Sequence, residues 1–175
     1  SGSLTLNNSE IKYNGWDGVS VRGAGAKAKI AKCKIHTNYD HGIDFWEDAT
    51  GSISECEIYE NSGSGLVVMG KKANVNITQV RSYKNEQCGI VAMDEATMSL
   101  ARVVTASNVL SGIAVQGKNT KATFGMVISN TNKEAGFYLD PASTIEGHEH
   151  TTSEGNLKGN LVRKALEYSV ERNDQ

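Results

Sequence analysis

The chain has 175 residues, of which 38% are apolar and 22% are charged, and this composition suits one globular domain rather than a disordered or membrane-spanning chain. Its 18 basic and 20 acidic residues give a net charge of −2, which supplies no long-range positive field for nucleic acid or an anionic membrane. We therefore expect no nucleic acid and no membrane among its partners, and the composition leaves the localisation open.

A repeat begins immediately after residues 1–3, whose Ser-Gly-Ser is typical of an expression remnant. From residue 4 onward, an asparagine followed four residues later by a glycine recurs six times, every 23 or 24 residues. A fixed period of this length is the signature of a repeat architecture. The six pairs are Asn14/Gly18, Asn38/Gly42, Asn61/Gly65, Asn85/Gly89, Asn108/Gly112 and Asn132/Gly136.

Each repeat contains three short alternations of apolar and other residues. One follows the glycine, as in Val19/Val21 and Ile43/Phe45, and two precede the asparagine. Because a period of two marks a strand with one buried face, each repeat predicts three strands that form one triangular coil. A single coil cannot bury its inner face alone, so the coils must stack. The sequence therefore predicts an all-β fold over residues 4–143, a right-handed parallel β-helix of about six coils of 23–24 residues.

The remaining residues, 144–175, are predicted to form an irregular segment followed by a capping helix. Thr144–Asn156 is polar, and Asn160–Arg172 has a helical pattern with Leu161, Ala165 and Leu166 on one side. Such a helix would cover the open strand edge that a solenoid presents at its end. No comparable cap precedes Leu4. We therefore expect further coils or another subunit at the N-terminal end.

Reactive and aromatic side chains concentrate in the first three repeats. Aromatic faces beside carboxylates are suited to sugar recognition, because rings stack on pyranose C–H faces while Asp and His bond hydroxyls or move protons. Asp17 and His41 each stand directly before a glycine and are expected to stack, and Asp44 is expected to point outward. An ordinary solvated flank is the competing interpretation. The predicted patch comprises Trp16, Asp17, His36, Tyr39, Asp40, His41, Asp44, Trp46 and Tyr59.

The segments Cys33-Lys-Ile-His36, Cys56-Glu-Ile-Tyr-Glu-Asn61 and Ser64-Gly-Leu-Val-Val68 carry a resemblance to a known superfamily. Over residues 4–140 the chain resembles the right-handed parallel β-helix repeat proteins. Its rhythm is similar to the carbohydrate-binding and sugar-hydrolase type of repeat, found in the β-helices of F-box-only ubiquitin-ligase receptors and in pectate-lyase-like proteins. The resemblance implies the fold but not one function, because the superfamily includes polysaccharide lyases, epimerases, glycosidases, adhesins and binding domains.

The first functional hypothesis is a non-catalytic carbohydrate- or protein-binding β-helix module within a larger protein or assembly. A glycan or protein ligand would lie on the flank of coils one to three. The equal length of the repeats favours this hypothesis, because it leaves no long loops to wall a catalytic groove. The expected ligand contacts are Trp16, Asp17, His36, Trp46 and Tyr59.

The second hypothesis is a polysaccharide lyase or epimerase that acts on uronates through Tyr39, Asp40, His41 and Asp44. This stretch is similar to the Asn-Thr-Asp-Gly-Ile-Asp element of polygalacturonase-type glycosidases, with one residue inserted before the glycine. The Asp-Asp pair that those enzymes carry one coil later is replaced here by Asn61-Ser-Gly-Ser64. Too few carboxylates stack beside Asp44 for a calcium site, so we predict no metal and no cofactor.

Overall fold

The structure is a computed structural model that describes residues 2–164. Its strands form three seven-stranded parallel sheets, and the chain visits each sheet once per coil, which makes seven coils. Within these residues the only helical element is a short 3-10 turn at His148–His150, and no helix could cross a membrane.

The strands of the three sheets stack in chain order. Sheet one contains β1 (Ser3–Asn7), β4 (Lys27–Ala31), β7 (Thr50–Ser54), β10 (Asn74–Thr78), β13 (Thr97–Ala101), β16 (Lys121–Phe124) and β19 (Thr144–Glu146). Sheet two contains β2 (Glu10–Lys12), β5 (Lys34–His36), β8 (Glu57–Tyr59), β11 (Arg81–Tyr83), β14 (Val103–Ala106), β17 (Val127–Asn130) and β20 (Thr151–Thr152). Sheet three contains β3 (Val19–Arg22), β6 (Ile43–Trp46), β9 (Leu66–Met69), β12 (Ile90–Met93), β15 (Ile113–Val115), β18 (Phe137–Leu139) and β21 (Leu161–Arg163).

The register between coils confirms the alternation that the sequence predicted. Leu4 pairs with Ala28, Ala28 with Gly51, and Gly51 with Val75, so residues from the same position of successive repeats lie above one another. The inward side chains of these columns, such as Ala28 and Val75, form a single continuous core, in which Ile53 is fully buried. Each buried Val, Leu or Ile contributes roughly 1.5–3 kcal/mol, so the stacked columns hold the coils together.

The C-terminal prediction was wrong in two respects. A seventh coil, built from β19, β20 and β21, continues the β-helix past residue 143, where it was predicted to end. Residues 161–163 of the predicted capping helix form strand β21, which pairs with β18, and its residues from 165 onward lie outside the described part of the chain. The seventh coil lacks the usual pattern, since Asn160 stands where the earlier coils have glycine and Thr151 stands at an inward position where coils four to six have valine.

A ladder of asparagine side chains runs the length of the solenoid, at the turn between sheets two and three. Each side-chain Nδ2 donates to Oδ1 of the asparagine in the next coil, at 2.8–3.1 Å. The same Oδ1 also accepts from the backbone N–H of the preceding asparagine at 2.9–3.2 Å. The six asparagines of the sequence repeat therefore have a structural role, and a seventh from the last coil joins them. The ladder contains Asn14, Asn38, Asn61, Asn85, Asn108, Asn132 and Asn156.

The glycine that closes each turn is required by close backbone approach. A Cβ atom on Gly89 would lie 2.6 Å from the carbonyl oxygen of Gly112 and 2.8 Å from Nδ2 of Asn108. The residue before each ladder asparagine adopts the left-handed conformation, as Tyr13 does with φ of 58° and Lys84 with φ of 56°. This conformation turns the chain sharply between sheets two and three.

The outer face of sheet three differs from the outer faces of the other two sheets. From β6 to β18 its outward side chains are buried, and all of them except Asp44 are apolar and belong to a second hydrophobic cluster outside the core. On sheets one and two most outward residues are exposed or partly exposed. Strands β6, β9, β12, β15 and β18 of sheet three are therefore buried on both faces. The cluster comprises Trp46, Val67, Met69, Cys88, Val91, Met93, Ala114, Ala135 and Tyr138.

We expect Asn85→Ala to destabilise the protein by about 2–4 kcal/mol, because it removes the bonds of two buried ladder neighbours at once. Asn85 is fully buried and accepts from Asn61 while donating to Asn108. The measurement is the free energy of unfolding in urea. Asn14→Ala is the matched control, since Asn14 is exposed at the end of the ladder, and its cost should stay below about 1 kcal/mol. Equal losses for both variants would contradict a ladder that stabilises through buried amides.

Candidate functional site

The structure divides the predicted patch into three groups that face different directions. The first, which we name the turn cluster, contains Trp16, Asp17, Tyr39, Asp40 and His41 at the corner between sheets two and three. The second is the pair Asp44 and Trp46 on the outer face of sheet three. The third is the ring stack, formed by His36, Tyr59 and also Tyr83 on the outer face of sheet two.

Asp17 and His41 stack in the turn cluster as the sequence predicted. The backbone N–H of His41 donates to Oδ1 of Asp17 at 3.0 Å, and Asp40 Oδ1 lies 3.5 Å from Nδ1 of His41. Burial raises the pKa of the Asp17 carboxyl, and Asp40 adds a smaller rise while His41 opposes it. The cluster is therefore a partly buried acidic turn with a histidine at its base.

The imidazole of His41 is held in place by the next coil. Its Nδ1 accepts a hydrogen bond from the backbone N–H of Ser64 at 2.9 Å, and only 5% of the side chain is exposed. Nδ1 is thus the acceptor, and the neutral ring carries its proton on Nε2. Burial lowers the pKa of His41, which keeps the ring neutral at pH 7. This arrangement fits a structural histidine better than an accessible general base.

Three aromatic rings project from the turn cluster and its edge into solvent. Trp16 is 53% exposed and Tyr39 is 74% exposed. Tyr13, which the sequence reasoning missed, is 73% exposed and stands at the left-handed position before the first ladder asparagine. Tyr39 lies one coil above Asn14, because its backbone N–H donates to the carbonyl of Asn14 at 3.0 Å. The sequence signal that could have identified Tyr13 is its position directly before the first repeat asparagine, where the chain turns.

Asp44 and Trp46 point outward from sheet three, as predicted for Asp44, but both are buried. The Asp44 carboxylate is fully buried, and neither of its oxygens has a hydrogen-bond partner of good geometry. Arg22 lies 3.5 Å from that carboxylate and 4.9 Å from the Trp46 ring centroid. Burial raises the pKa of Asp44 to about 7, and Asp17 contributes to the rise. Trp46 is 9% exposed, so its ring offers little surface to a ligand.

The ring stack turns its aromatic faces onto one another. His36 and Tyr59 are parallel with centroids 4.5 Å apart, and Tyr59 and Tyr83 are 5.0 Å apart. His36 is also tied to Glu10, with Nε2 3.1 Å from Oε1. Tyr59 has a neighbouring ring on each face, and His36 is only 8% exposed, so neither ring offers a free face to a ligand. His36 and Tyr59 are therefore poorly placed for the stacking contacts that the sequence suggested.

The turn cluster is also the place where a metal ion would be sought. Within the described residues, single ligand atoms of Asp17, Asp40 and His41 lie within 4.8 Å of one another. Calcium prefers six to eight oxygen ligands, whereas this group offers two carboxylates and a histidine whose Nδ1 already accepts from Ser64. The donor set does not fit calcium, and we propose no metal for it.

The seven coils of stacked parallel strands define a parallel β-helix protein. Residues 1–173 match the family model described as right handed beta helix region, and the chain belongs to that family. No curated protein sequence matches the chain.

Several solved structures share this fold. One is pectate lyase Pel9A, 12% identical, with a TM-score of 0.65 over 94% of this chain and 54% of that chain. A second is the A-module of the Azotobacter vinelandii mannuronan C-5 epimerase AlgE4, 15% identical, with a TM-score of 0.67 over 95% and 56%. A third is the periplasmic alginate epimerase AlgG, 16% identical, with a TM-score of 0.61 over 93% and 46%. The chain thus spans about half the length of these structures, and such low identities show the fold alone.

We expect Asp44→Asn to stabilise the protein at pH 8 and to have little effect at pH 4. The folded state raises the pKa of Asp44 to about 7, so the unfolded carboxyl ionises first and stability falls as pH rises from about 4 to 7. The amide removes that penalty, and a gain of roughly 1–3 kcal/mol at pH 8 should appear in urea unfolding. Asp94→Asn, at an exposed carboxylate, should stay within about 0.5 kcal/mol at both pH values. A loss of stability at pH 8 would contradict the burial of an ionisable Asp44.

Proposed function

We propose that the chain is a non-catalytic carbohydrate-binding module whose ligand stacks on the exposed rings of Tyr13, Trp16 and Tyr39. The observation that carries this proposal is the exposure of these three aromatic side chains, 73%, 53% and 74%, at one corner of two adjacent coils. Large aromatic rings are normally buried, so three exposed rings together mark an interaction surface.

Sugar binding explains this surface better than a protein interface does. Aromatic faces pack against the C–H faces of pyranoses, and the carboxylates of Asp17 and Asp40 beside them can accept hydrogen bonds from sugar hydroxyls. A stable protein interface usually needs about 800 Å² on each partner with an apolar centre. The rings here border an acidic turn instead. The structural likeness to a pectate lyase and to alginate epimerases, which act on carbohydrate polymers by their names, supports the same ligand class.

A binding role also agrees with the state of the candidate acid and base groups. The Nδ1 atom of His41 is engaged by Ser64, and the Asp44 carboxylate is fully buried on sheet three. A general acid or base must come within hydrogen-bond reach of the proton that it transfers. Both groups are buried, His41 at 4% exposure and Asp44 at 0%, so a sugar stacked on the exposed rings would not reach them.

The proposed module acts within a larger protein or assembly. Strands β1, β2 and β3 each pair with a neighbour on one side only, and Leu4, at an inward position of the first coil, is 37% exposed. An exposed strand edge is a template for pairing with more β-structure. We propose that further coils or another subunit cover this end.

We expect Trp16→Ala and Tyr39→Ala each to weaken glycan binding by about 1–3 kcal/mol, because each removes a stacking face. A glycan array of neutral and uronate oligosaccharides would identify the bound sugar, and calorimetric titration with that sugar would measure the affinity. Met126→Ala is the matched control, since Met126 is 65% exposed on another part of the solenoid and its loss should leave affinity unchanged. Unchanged binding in both aromatic variants would overturn the proposed site.

One observation favours an alternative, a uronate lyase or epimerase that uses Asp44. Its pKa of about 7 is suited to proton transfer near neutral pH, and Arg22 stands 3.5 Å away, where it could neutralise a uronate carboxylate. For this alternative to hold, the outer face of sheet three, where Asp44 is fully buried, would have to become accessible to the polymer. If it is correct, Asp44→Asn should lower turnover of polymannuronate or polygalacturonate by about 10²–10⁴-fold while binding is retained.

The binding-module proposal predicts no enzymatic turnover in the same assay. The unmodified protein should show no turnover of either polymer, measured by ultraviolet absorbance of unsaturated products and by NMR of C-5 configuration. Turnover that disappears in the Asp44→Asn variant would show that the chain is an enzyme and would refute the binding-module proposal.

A further inference from the structure

The outer face of sheet three is buried, although it lies on the outside of the solenoid. Over five successive coils the outward side chains of its strands are between 0% and 9% exposed, from Trp46 at 9% to Val67 and Ala114 at 0%. Outward residues of sheet one, such as Lys29 and Asn76, are exposed. A parallel sheet that is buried on both faces is covered by some other part of the structure. We name this region, from β6 to β18, the covered face.

No strand or helical turn of residues 2–164 provides this cover. Every strand belongs to the wall of one of the three sheets, and the 3-10 turn at His148–His150 lies against β16 of sheet one. The exposures are those of one isolated chain, so the cover belongs to the chain itself. This leaves the C-terminal residues 165–175 as the segment that can cover the face.

The chain leaves the described structure beside the covered face. Strand β21 (Leu161–Arg163) is the last strand of sheet three, and Val162 pairs with Tyr138 and packs against the outer hydrophobic cluster. Five strand spacings of about 4.8 Å separate β21 from β6, roughly 24 Å in all. The eleven residues of 165–175 span about 16 Å as a helix and about 36 Å when extended, so their reach matches the face. Burial stops at coil one, where Ser20 and Arg22 of β3 are exposed.

The composition of the segment also matches the face. Its first six residues, Ala-Leu-Glu-Tyr-Ser-Val, supply four apolar or aromatic side chains, whereas its last five, Glu-Arg-Asn-Asp-Gln, supply none. The covered face has the same order, because it is apolar from β18 to β9, while Asp44 and Arg22 stand at its far end, on β6 and β3. An apolar half followed by a polar half would therefore meet matching chemistry along its length.

We propose that residues 165–175 fold back across the outer face of sheet three and cover it within the same chain. The predicted C-terminal cover would then lie along the side of the solenoid rather than across its open end. This inference goes beyond the proposed sugar binding, because it concerns a face that the exposed rings of the turn cluster do not form. It also sets a condition for the alternative enzymatic role, since Asp44 would become accessible only when the segment leaves the face.

The four methionines of the chain report on this cover without any added probe. Met69 and Met93 lie on the covered face and are each 5% exposed, Met98 is fully buried in the inner core, and Met126 is 65% exposed. Dilute hydrogen peroxide oxidises a methionine at a rate that follows its exposure, and peptide mass spectrometry measures each site separately. In the unmodified full chain we expect Met126 to react at least about tenfold faster than the other three.

The Leu166→Asp/Val170→Asp variant places two charges in the apolar half of the segment. Because a charge buried against an apolar face is unfavourable, the segment should leave the face. We expect the oxidation rates of Met69 and Met93 to rise by about tenfold or more, while Met98 stays slow because the coils remain folded.

The matched control is Asn173→Asp/Gln175→Glu, which adds the same two negative charges in the polar half of the segment. It should leave all four oxidation rates unchanged. Equal acceleration of Met69 and Met93 in both variants would assign the effect to charge alone and overturn the proposal. Unchanged rates at these two methionines in the Leu166→Asp/Val170→Asp variant would also overturn it.

A photo-crosslink decides the question if Met98 is also oxidised rapidly, which would show that the aspartate variant unfolds. With Tyr168→p-benzoylphenylalanine in the otherwise unchanged full chain, illumination should join residue 168 to β9, β12, β15 or β18 within one molecule. Attachment to sheet one or sheet two would refute the proposed path of the segment. A cross-linked pair of chains, detected by its doubled mass, would refute it as well, because the segment of one copy would then cover another.

Discussion

The asparagine ladder is the constraint on which the rest of the structure depends. Each side-chain Oδ1 accepts two bonds from the coil before it, and in coils two to six the amides are almost fully removed from solvent. A buried amide without its partners would cost about 1–3 kcal/mol for each group left unsatisfied. The turn geometry must therefore be the same in every coil. A constant turn fixes the register of all three sheets, and with it the columns of the core.

A fixed register leaves the three outer faces free to differ in chemistry. Sheet three is apolar and buried outside, where Val67 and Val91 follow Asp44 in one column. Sheet two carries ion pairs and the ring stack, and sheet one carries hydroxyls, amides and lysines. The chemistry of each face is set by the outward residues of successive coils. The charge or polarity of a face therefore arises from a column of residues rather than from a local sequence motif. The proposed glycan surface is built in the same way, from exposed rings of two successive coils at one corner.

Most of the fold was predictable from the sequence, whereas the site was predictable only in part. The pairings of Leu4 with Ala28 and of Gly51 with Val75 follow directly from the period, because inward positions must align when coils stack. The seventh coil was missed because Asn160 replaces the glycine and Thr151 replaces the valine that coils four to six carry at an inward position. Alternation showed that Asp44 points outward, yet it could not show that this face is buried. The apolar neighbour Val67 in the same column was the available signal.

The left-handed residue before each ladder asparagine has a consequence for how such a protein can change. Tyr13, Thr37, Glu60, Lys84, Ser107 and Thr131 all adopt φ between 54° and 58°, although their side chains are aromatic, hydroxylic, acidic and basic. The backbone strain at this position, roughly 1 kcal/mol for a residue other than glycine, is present in each of these six coils whatever side chain stands there. Substitution along this column therefore alters what the corner presents to solvent at nearly constant stability. Mutations along this column could therefore change what the corner binds while the protein remains folded at every step.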